Sequence, residues 1–261
     1  MTRRSAKRAI KRSGKQMSND RQVMPDNVRV LFEDGWSPMD GMDPNPQMDD
    51  RRDQRFVKNV RPQNENQKKF FSLIDSHSVV FSVGPAGTGK TYIAIAKAVE
   101  ALEAGRVGRI VLSRPAVEAG ESLGYLPGDM EEKLSPYLRP LYDALTDRLS
   151  AKKVRALMAE GVIEVAPIGF MRGRTLNNCY VVIDEAQNCT YAQLKMLLTR
   201  LGWHSTMVVT GDPDQTDLLP GVSGLADIVD KLDAVEGIGV CRFDRADVVR
   251  HPLVAAMVEH I

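Results

Sequence analysis

The chain has 261 residues, with 35 basic and 34 acidic side chains and 43% hydrophobic residues. That length suffices for one α/β domain of roughly 200 residues with an extension. No run approaches the roughly 20 apolar residues of a membrane span, and the basic N-terminus lacks the apolar stretch of a secretory signal. Three cysteines without zinc-ligand spacing, Cys179, Cys189 and Cys241, favour a reducing, cytoplasmic compartment.

The N-terminal segment is strongly basic. Its first 16 residues hold seven Lys or Arg side chains and no acid. We expect a flexible, solvated arm in the free protein, because like charges at helical spacing repel one another. Contact with a nucleic acid is a further hypothesis for this arm. Residues 17–60 are polar and read as a linker, so we place an arm and linker at residues 1–60 and a single domain at residues 61–261.

The domain opens with a short helix, predicted around residues 68–74. Gln67 lies 17 positions before Gly84, near the start of this helix. An amide side chain can pair with both the donor and the acceptor of an adenine edge. We therefore interpret Gln67 as an adenine-reading residue, and an ordinary surface glutamine near a helix start is the alternative.

The most informative stretch is an octet at residues 84–91. It fits the pattern G-x-x-x-x-G-K-[ST] of phosphate-binding loops, between a predicted strand at residues 78–83 and a predicted helix at residues 92–102. Its glycines allow backbone N–H groups to curl around phosphates at the positive end of the helix. Lys90 would reach the β- and γ-phosphates, and the Thr91 hydroxyl would ligate Mg²⁺. The predicted nucleotide-binding residues are Gly84, Pro85, Ala86, Gly87, Thr88, Gly89, Lys90 and Thr91.

Strands and helices alternate through the middle of the chain. The predicted elements are a strand at residues 109–113, a helical stretch at residues 127–149, a helix at residues 152–160 and a strand at residues 162–166. We expect Pro136 and Pro140 to break the helical stretch, because proline lacks the N–H that a helix interior requires.

Two adjacent acids end the apolar strand predicted at residues 179–183. Carboxylates in this position are costly unless they serve a cation or a reaction, and open α/β sheets bind ligands at these strand ends. We predict that Asp184 holds Mg²⁺ and that Glu185 orients and deprotonates the attacking water. A solvated turn is the alternative for this pair taken alone.

The next strand, predicted at residues 206–210, leads into a polar turn that contains Gln215. A neutral amide can sense a γ-phosphate or the attacking water, as glutamines do in other nucleotide hydrolases. A polar turn without a role is the alternative. Three such strand ends in one chain nevertheless favour a common site.

The last predicted elements are a helix at Leu225–Leu232, a strand at residues 239–243 and a terminal helix at residues 248–260. Strands that alternate with helices predict a parallel sheet covered by helices. With the phosphate loop, this pattern indicates an α/β fold. We expect a single RecA-like P-loop NTPase domain preceded by the flexible basic arm.

With these elements in place, the chain resembles the PhoH family of ATPases, which is related to the cores of superfamily-1 helicases. The resemblance extends from Asn64 to about Val254, and the run Gly-Glu-Ser-Leu-Gly-Tyr-Leu-Pro-Gly at residues 120–128 is its most specific part. Besides the phosphate loop, the matching segments are residues 114–117, 136–143, 171–175, 183–188, 211–215 and 248–252.

The resemblance implies binding and hydrolysis of ATP, dependence on Mg²⁺, and association with RNA, which we expect to be single-stranded. We regard the basic side chains of Arg114, Arg172 and Arg174 as candidate nucleic-acid contacts. An ion pair within the protein is the alternative for each of the three.

Superfamily-1 helicases place ATP between two RecA-like domains of one chain, and the sequence leaves no room for a second core after its last strand. We therefore expect a homo-oligomer, with a ring as the natural arrangement. Arg250 would then contact the γ-phosphate in a neighbouring subunit. The alternative is that Arg250 caps its own helix or pairs with Asp244 or Asp247.

Two functions of different classes remain open. The first is an ATP-driven enzyme that remodels RNA, of which an RNA helicase is one form. The second is an ATP-dependent regulatory or scaffold protein that separates no strands. A small-molecule kinase ranks lower because Glu185 suits water activation better than transfer to a metabolite. A GTPase is disfavoured because the sequence has no Asn-Lys-x-Asp run.

Overall fold

The computed structural model describes residues 60–115 and 130–249, with side chains described from residue 137 onward in the second range. At the centre of the described part lies a sheet in which all pairings are parallel. Its strands are β1 (Val79–Val83), β2 (Arg109–Arg114), β3 (Ile163–Pro167), β4 (Cys179–Ile183), β5 (Thr206–Gly211) and β6 (Ile238–Arg242). Their order across the sheet is β3-β2-β4-β5-β1-β6. The carboxyl ends of all these strands therefore meet at one edge.

Helices cover both faces of the sheet. They are α1 (Glu65–Ser76), α2 (Lys90–Glu103), α3 (Met130–Thr146), α4 (Ala151–Ala159), α5 (Tyr191–Leu198) and α6 (Leu225–Leu232). One apolar core contains residues from α1 to α4, and a second core on the opposite face contains residues from α5 and α6. Neighbouring strand residues alternate between the cores, as Val182 and Ile183 do in β4. Burial on both faces explains why β1 and β4 are apolar and rich in β-branched residues.

The predicted fold class is confirmed for the described residues, because a parallel sheet with a phosphate loop after its first strand lies between two helical layers. The strand at Cys179–Ile183 and the helix at Leu225–Leu232 have the predicted bounds, and the other predicted strands differ by one residue at one or both ends. The basic arm and most of the linker lie outside the described residues. The domain boundary near residue 61 stays a prediction.

The break expected at Pro136 and Pro140 is wrong, because α3 runs without interruption from Met130 to Thr146. Each proline removes one backbone hydrogen bond from the helix. Leu141 and Leu145 of the same helix are fully buried in the first core. Burial of such side chains stabilises by about 1.5–3 kcal/mol each, so the packed face offsets the lost hydrogen bonds.

Helix α5 was missing from the prediction. Its N-terminus has a capping box, in which Thr190 Oγ1 accepts a hydrogen bond from the backbone N–H of Gln193 and the Gln193 side chain bonds back. The pattern Thr-x-x-Gln before a stretch rich in apolar residues predicts a capping box at the start of a helix. For the predicted terminal helix, Val248 and Val249 are not helical, and its remaining residues lie outside the described part.

Among the described residues, no helix combines the length and the apolar character needed to cross a membrane.

Candidate active site

The loop between β1 and α2 depends on glycines in conformations that other residues rarely adopt. Gly84, Gly87 and Gly89 have φ values of 135°, 84° and 86°. A Cβ at Gly84 would lie 2.3 Å from the carbonyl oxygen of Phe243. Only glycine fits at Gly84, and a side chain at Gly87 or Gly89 would strain the backbone. The loop delivers the N-terminus of α2 to the sheet edge.

Lys90 begins α2 and folds back over the loop. Its Nζ donates hydrogen bonds to the carbonyl oxygens of Gly84 at 2.6 Å and Pro85 at 2.7 Å. Burial lowers the pKa of Lys90, and the nearby carboxylates of Asp212, Glu185 and Asp184 oppose this shift. The ammonium group thus lies where the loop curls, at the position a phosphate-binding lysine needs.

The two residues predicted to hold Mg²⁺ lie together. Thr91 Oγ1 donates to Asp184 Oδ1 at 2.6 Å, and Thr210 Oγ1 from β5 donates to the same oxygen at 2.7 Å. A hydroxyl and a carboxylate are hard oxygen ligands of the kind that Mg²⁺ takes from proteins, with phosphates and waters filling its other positions. The donor set therefore fits Mg²⁺. Within the described residues there is no cluster of three or more His, Cys, Asp or Glu side chains that would indicate another metal.

Glu185 follows in the left-handed conformation, with φ 52° and ψ 42°. Gln187 Nε2 donates to Glu185 Oε2 at 2.5 Å, and Arg114 donates to Glu185 Oε1 at 3.2 Å. The Arg114 guanidinium also lies 3.5 Å from Asp184 Oδ2. Arg114 therefore balances the negative charge of Asp184 and Glu185. This contact agrees with the alternative interpretation of Arg114 as an ion-pair partner within the protein. A nucleic-acid contact by Arg114 stays a prediction.

A cavity of about 300 Å³ brings the three predicted strand ends together. Gln215 reaches this cavity from the turn after β5, where its backbone N–H donates to the Asp212 carbonyl at 3.0 Å. The lining residues are Ala86, Gly87, Gly89, Lys90, Thr91, Tyr92, Asp184, Glu185, Gly211, Asp212 and Gln215. The cavity thus combines a phosphate loop, three acids and an amide, and among these are the groups that hydrolysis of a nucleotide requires.

Gln67 lies beneath the loop, where it is buried. Its Nε2 donates to the Thr88 carbonyl at 3.1 Å, and its Oε1 accepts from the backbone N–H of Gln63 at 2.8 Å. These contacts brace the phosphate loop against the start of α1. The adenine-reading role of Gln67 stays a prediction.

The remaining candidate arginines differ in their surroundings. Arg172 is exposed, whereas Arg174 forms a two-pronged ion pair with Glu164, one contact of which measures 2.7 Å. This hydrogen bond raises the pKa of Arg174. The contact of Arg174 agrees with its alternative interpretation as an ion-pair partner within the protein. Nucleic-acid binding by Arg172 and Arg174 stays a prediction. Arg250 lies outside the described residues, and its suggested partner Asp247 accepts from Asn66 Nδ2 at 2.7 Å.

Three site residues were not singled out from the sequence. Thr210 binds Asp184, Asp212 lines the cavity, and Gln187 binds Glu185. Their position in the sequence could have indicated a role in the site, because each is a polar residue at or just beyond the end of an apolar strand. Thr210 lies on β5 and its partner Asp184 follows β4, and only the sheet order reveals that these two strands are neighbours.

The chain is similar to known proteins in its sequence. The family described as "PhoH-like protein" matches residues 59–261. A PhoH-like protein of Bacillus subtilis (strain 168) is 55% identical over 203 residues, which cover 77% of this chain and 64% of that protein. The chain thus spans less than two thirds of that relative.

Protein PhoH of Escherichia coli (strain K12) is 42% identical over 254 residues, covering 96% of this chain and 69% of that protein. Among solved structures, the large terminase of a thermophilic bacteriophage aligns with a TM-score of 0.49 and 11% identity, over 76% of this chain and 50% of that chain. An alignment at this level supports no conclusion about function.

Proposed function

The chain belongs to the PhoH-like protein family, and from this premise we propose that it binds ATP with Mg²⁺ and hydrolyses it in the cavity at the sheet edge. The observation that carries the proposal is the convergence of Lys90, the Thr91–Asp184 pair and Glu185 on one cavity. Lys90 and Thr91 come from the phosphate loop, Asp184 and Glu185 follow β4, and together they supply phosphate binding, metal binding and a base.

In the proposed reaction, the loop N–H groups and Lys90 bind the phosphates at the positive end of α2. Mg²⁺, when bound, neutralises charge on the β- and γ-phosphate oxygens. Glu185 accepts a proton from the attacking water, while its contacts with Arg114 and Gln187 keep the carboxylate in place. Gln215 reaches the cavity as a neutral amide and orients the water.

We further propose that hydrolysis is coupled to binding or remodelling of single-stranded RNA. Support comes from the seven basic residues among the first 16 and from the exposed Arg172. Clustered positive charge attracts nucleic-acid phosphates. An RNA helicase would be one form of this activity.

A regulatory or scaffold protein is the second candidate. It is favoured by one observation: both carboxylate oxygens of Glu185 are already engaged by neighbouring side chains. A base held in this way is consistent with slow turnover until a partner changes its contacts. Both candidates share the ATP site and differ in their response to RNA.

Two further expectations stay proposals. A reducing, cytoplasmic compartment is supported by the three cysteines, which are buried free thiols. A homo-oligomer in which Arg250 completes a neighbouring site stays a prediction, because residues 250–261 lie outside the described part.

The proposal is tested by ATP binding and turnover in the wild-type chain and in Lys90→Ala. Calorimetry should show ATP binding in the wild type and its loss in the variant, because the substitution removes the ammonium group proposed to bind the phosphates. Unchanged affinity in a folded Lys90→Ala variant would contradict the assignment. Strong stimulation of turnover by single-stranded RNA would favour remodelling, and turnover that ignores RNA would favour the regulatory candidate.

A further inference from the structure

The segment after Glu185 is bonded to the turn that follows β5. Gln187 is only 2% exposed, and its Oε1 accepts from the backbone N–H of Asp212 at 3.0 Å. Its Nε2 donates to the Gln215 carbonyl at 3.3 Å and to Glu185 Oε2 at 2.5 Å. The base and the turn that carries Gln215 therefore share one buried amide.

Asn188 adds a second connection farther along the same turn. Its Oδ1 accepts from the backbone N–H of Asp217 at 2.8 Å, and its Nδ2 donates to Asp217 Oδ2 at 2.8 Å. One amide thus holds both the backbone and the side chain of a single residue. We call this pair of hydrogen bonds the Asn188–Asp217 clamp. Thr216 Oγ1 also donates to the Gln187 carbonyl, at 3.0 Å.

The clamp matters because hydrogen bonds, and not apolar burial, hold the turn. Gln215 and Asp217 are exposed, so apolar burial does not fix their positions. Asn188 is buried and belongs to the short 3₁₀ helix directly after Glu185. A hydrogen bond from this helix to the turn therefore sets how far Gln215 lies from the base.

We propose that Asn188 is a positioning residue that, through the Asn188–Asp217 clamp, holds the Gln215 turn in register with Glu185 for ATP hydrolysis. The proposal rests on the function proposed above. Misplacing a group by about 1 Å can cost about 10²-fold in rate. Loss of the clamp should thus lower kcat, while ATP affinity, which depends on the phosphate loop, is retained.

Between the two side chains of the clamp, Asn188 is the donor and Asp217 is the acceptor. Exchanging the two side chains tests whether these hydrogen bonds position the turn. In Asn188→Asp alone, two carboxylates face each other across the former hydrogen bond, so the turn should be displaced. We expect kcat to fall about 10- to 100-fold with an ATP Kd within about twofold of wild type. In the double variant Asn188→Asp with Asp217→Asn, the carboxylate at position 188 accepts from the N–H of residue 217 and from the new amide. Both hydrogen bonds then return, and kcat should recover to within about threefold of wild type.

Asp217→Asn alone keeps an acceptor oxygen for Asn188, so its kcat should stay within about threefold of wild type. Asp214→Asn removes one charge from the same turn and serves as the matched control for charge. A double variant no more active than Asn188→Asp would overturn the proposal. So would an Asn188→Asp variant with wild-type kcat.

Hydrogen exchange can be measured without ATP turnover, so it tests the clamp independently of the proposed function. The backbone N–H of residue 217 should exchange with solvent faster in Asn188→Asp and at the wild-type rate in the double variant. If the wild-type chain hydrolyses no ATP, the proposed function fails. Unchanged exchange in Asn188→Asp would overturn the clamp itself.

Discussion

At the scale of single residues, the acids of the site are held by more than one contact. Asp184 Oδ1 accepts from two threonine hydroxyls, and the oxygens of Glu185 are bound by Arg114 and Gln187. The left-handed backbone of Glu185 costs of order 1–3 kcal/mol for a non-glycine residue. The contacts with Arg114 and Gln187 hold Glu185 in the left-handed conformation. Strained backbone of this kind is typical of functional sites.

Glu185→Gln tests the role of the proposed base. The substitution keeps the shape of the side chain and one of its two acceptor oxygens, and it removes the ability of the side chain to take a proton. We expect kcat for ATP hydrolysis to fall by about 10²–10⁴, with ATP affinity retained in calorimetry. Glu160→Gln, which neutralises an exposed acid at the end of α4, is the matched control. A near-normal kcat in Glu185→Gln would make the residue structural.

The cysteine thiols predict a dependence of stability on pH. Burial raises the pKa of the Cys189 thiol from 9.0 to about 12. Above pH 9 the thiol ionises in the unfolded chain but not in the folded one, so stability falls as the pH rises from 9 toward 12.

Denaturant unfolding at pH 8 and pH 10 measures this contribution. The free energy of unfolding lost between the two pH values should be about 1 kcal/mol smaller in Cys189→Ala than in the wild type. The comparison uses the change with pH, so any constant cost of the smaller side chain cancels. Equal losses in both proteins would show that the thiol titrates normally.

At the scale of elements, the phosphate loop is braced from the side opposite the acids. Gln67 of α1 donates to the Thr88 carbonyl, and the backbone N–H of Val249 donates to the Gly87 carbonyl at 2.9 Å. Asn66 of α1 donates to Asp247, which ties the start of α1 to the segment before residue 250. The loop conformation therefore depends on two segments far apart in the sequence.

Helix α3 yields a prediction about stability. Pro140 is exposed in its interior and cannot donate a hydrogen bond to the carbonyl of Pro136, one turn earlier. Pro140→Ala restores the donor without removing buried surface. We expect it to raise the free energy of unfolding by about 1–2 kcal/mol, after allowing for the more flexible unfolded chain.

Chemical denaturation of Pro140→Ala tests this expectation. Arg139→Ala, at the neighbouring exposed position of the same helix, should change stability by no more than about 0.5 kcal/mol. A Pro140→Ala variant that is less stable than the wild type would show that the proline fits the helix better than an alanine.

At the scale of the whole molecule, the strand order builds the site. Strand β5 lies between β1, which carries the phosphate loop, and β4, which carries the acids. Thr210 of β5 fills the space between them by bonding to Asp184. Residues 91, 184 and 210 thus meet through sheet pairing.

Truncation of the basic arm at residues 1–16 tests whether the arm binds RNA. If residues 1–16 contact RNA, they do so through its phosphates, because the segment is basic and carries no acid. Deleting them should weaken RNA binding regardless of RNA sequence and flatten its salt dependence. Each lost contact reduces the log–log slope by about 0.7 for single strands.

Binding titrations over a range of salt concentrations measure that slope, and ATP turnover without RNA is the control. Basal turnover should stay unchanged in the truncated chain, because the truncation retains Lys90, Asp184 and Glu185. An identical salt slope before and after truncation would leave the arm without a role in RNA binding.

The sequence by itself determined the parallel α/β class, the phosphate loop and the two acids after β4. These features are local: a run of β-branched residues makes a buried strand, and the glycines before Lys90 adopt the positive φ angles of the phosphate loop. The tertiary structure alone decided that α3 continues through its prolines and that Arg114 lies against Asp184 and Glu185. It also decided that Asn188 clamps Asp217. These outcomes depend on which strands are neighbours and which helix face is buried, and no short stretch of sequence encodes contacts between residues brought together by the sheet.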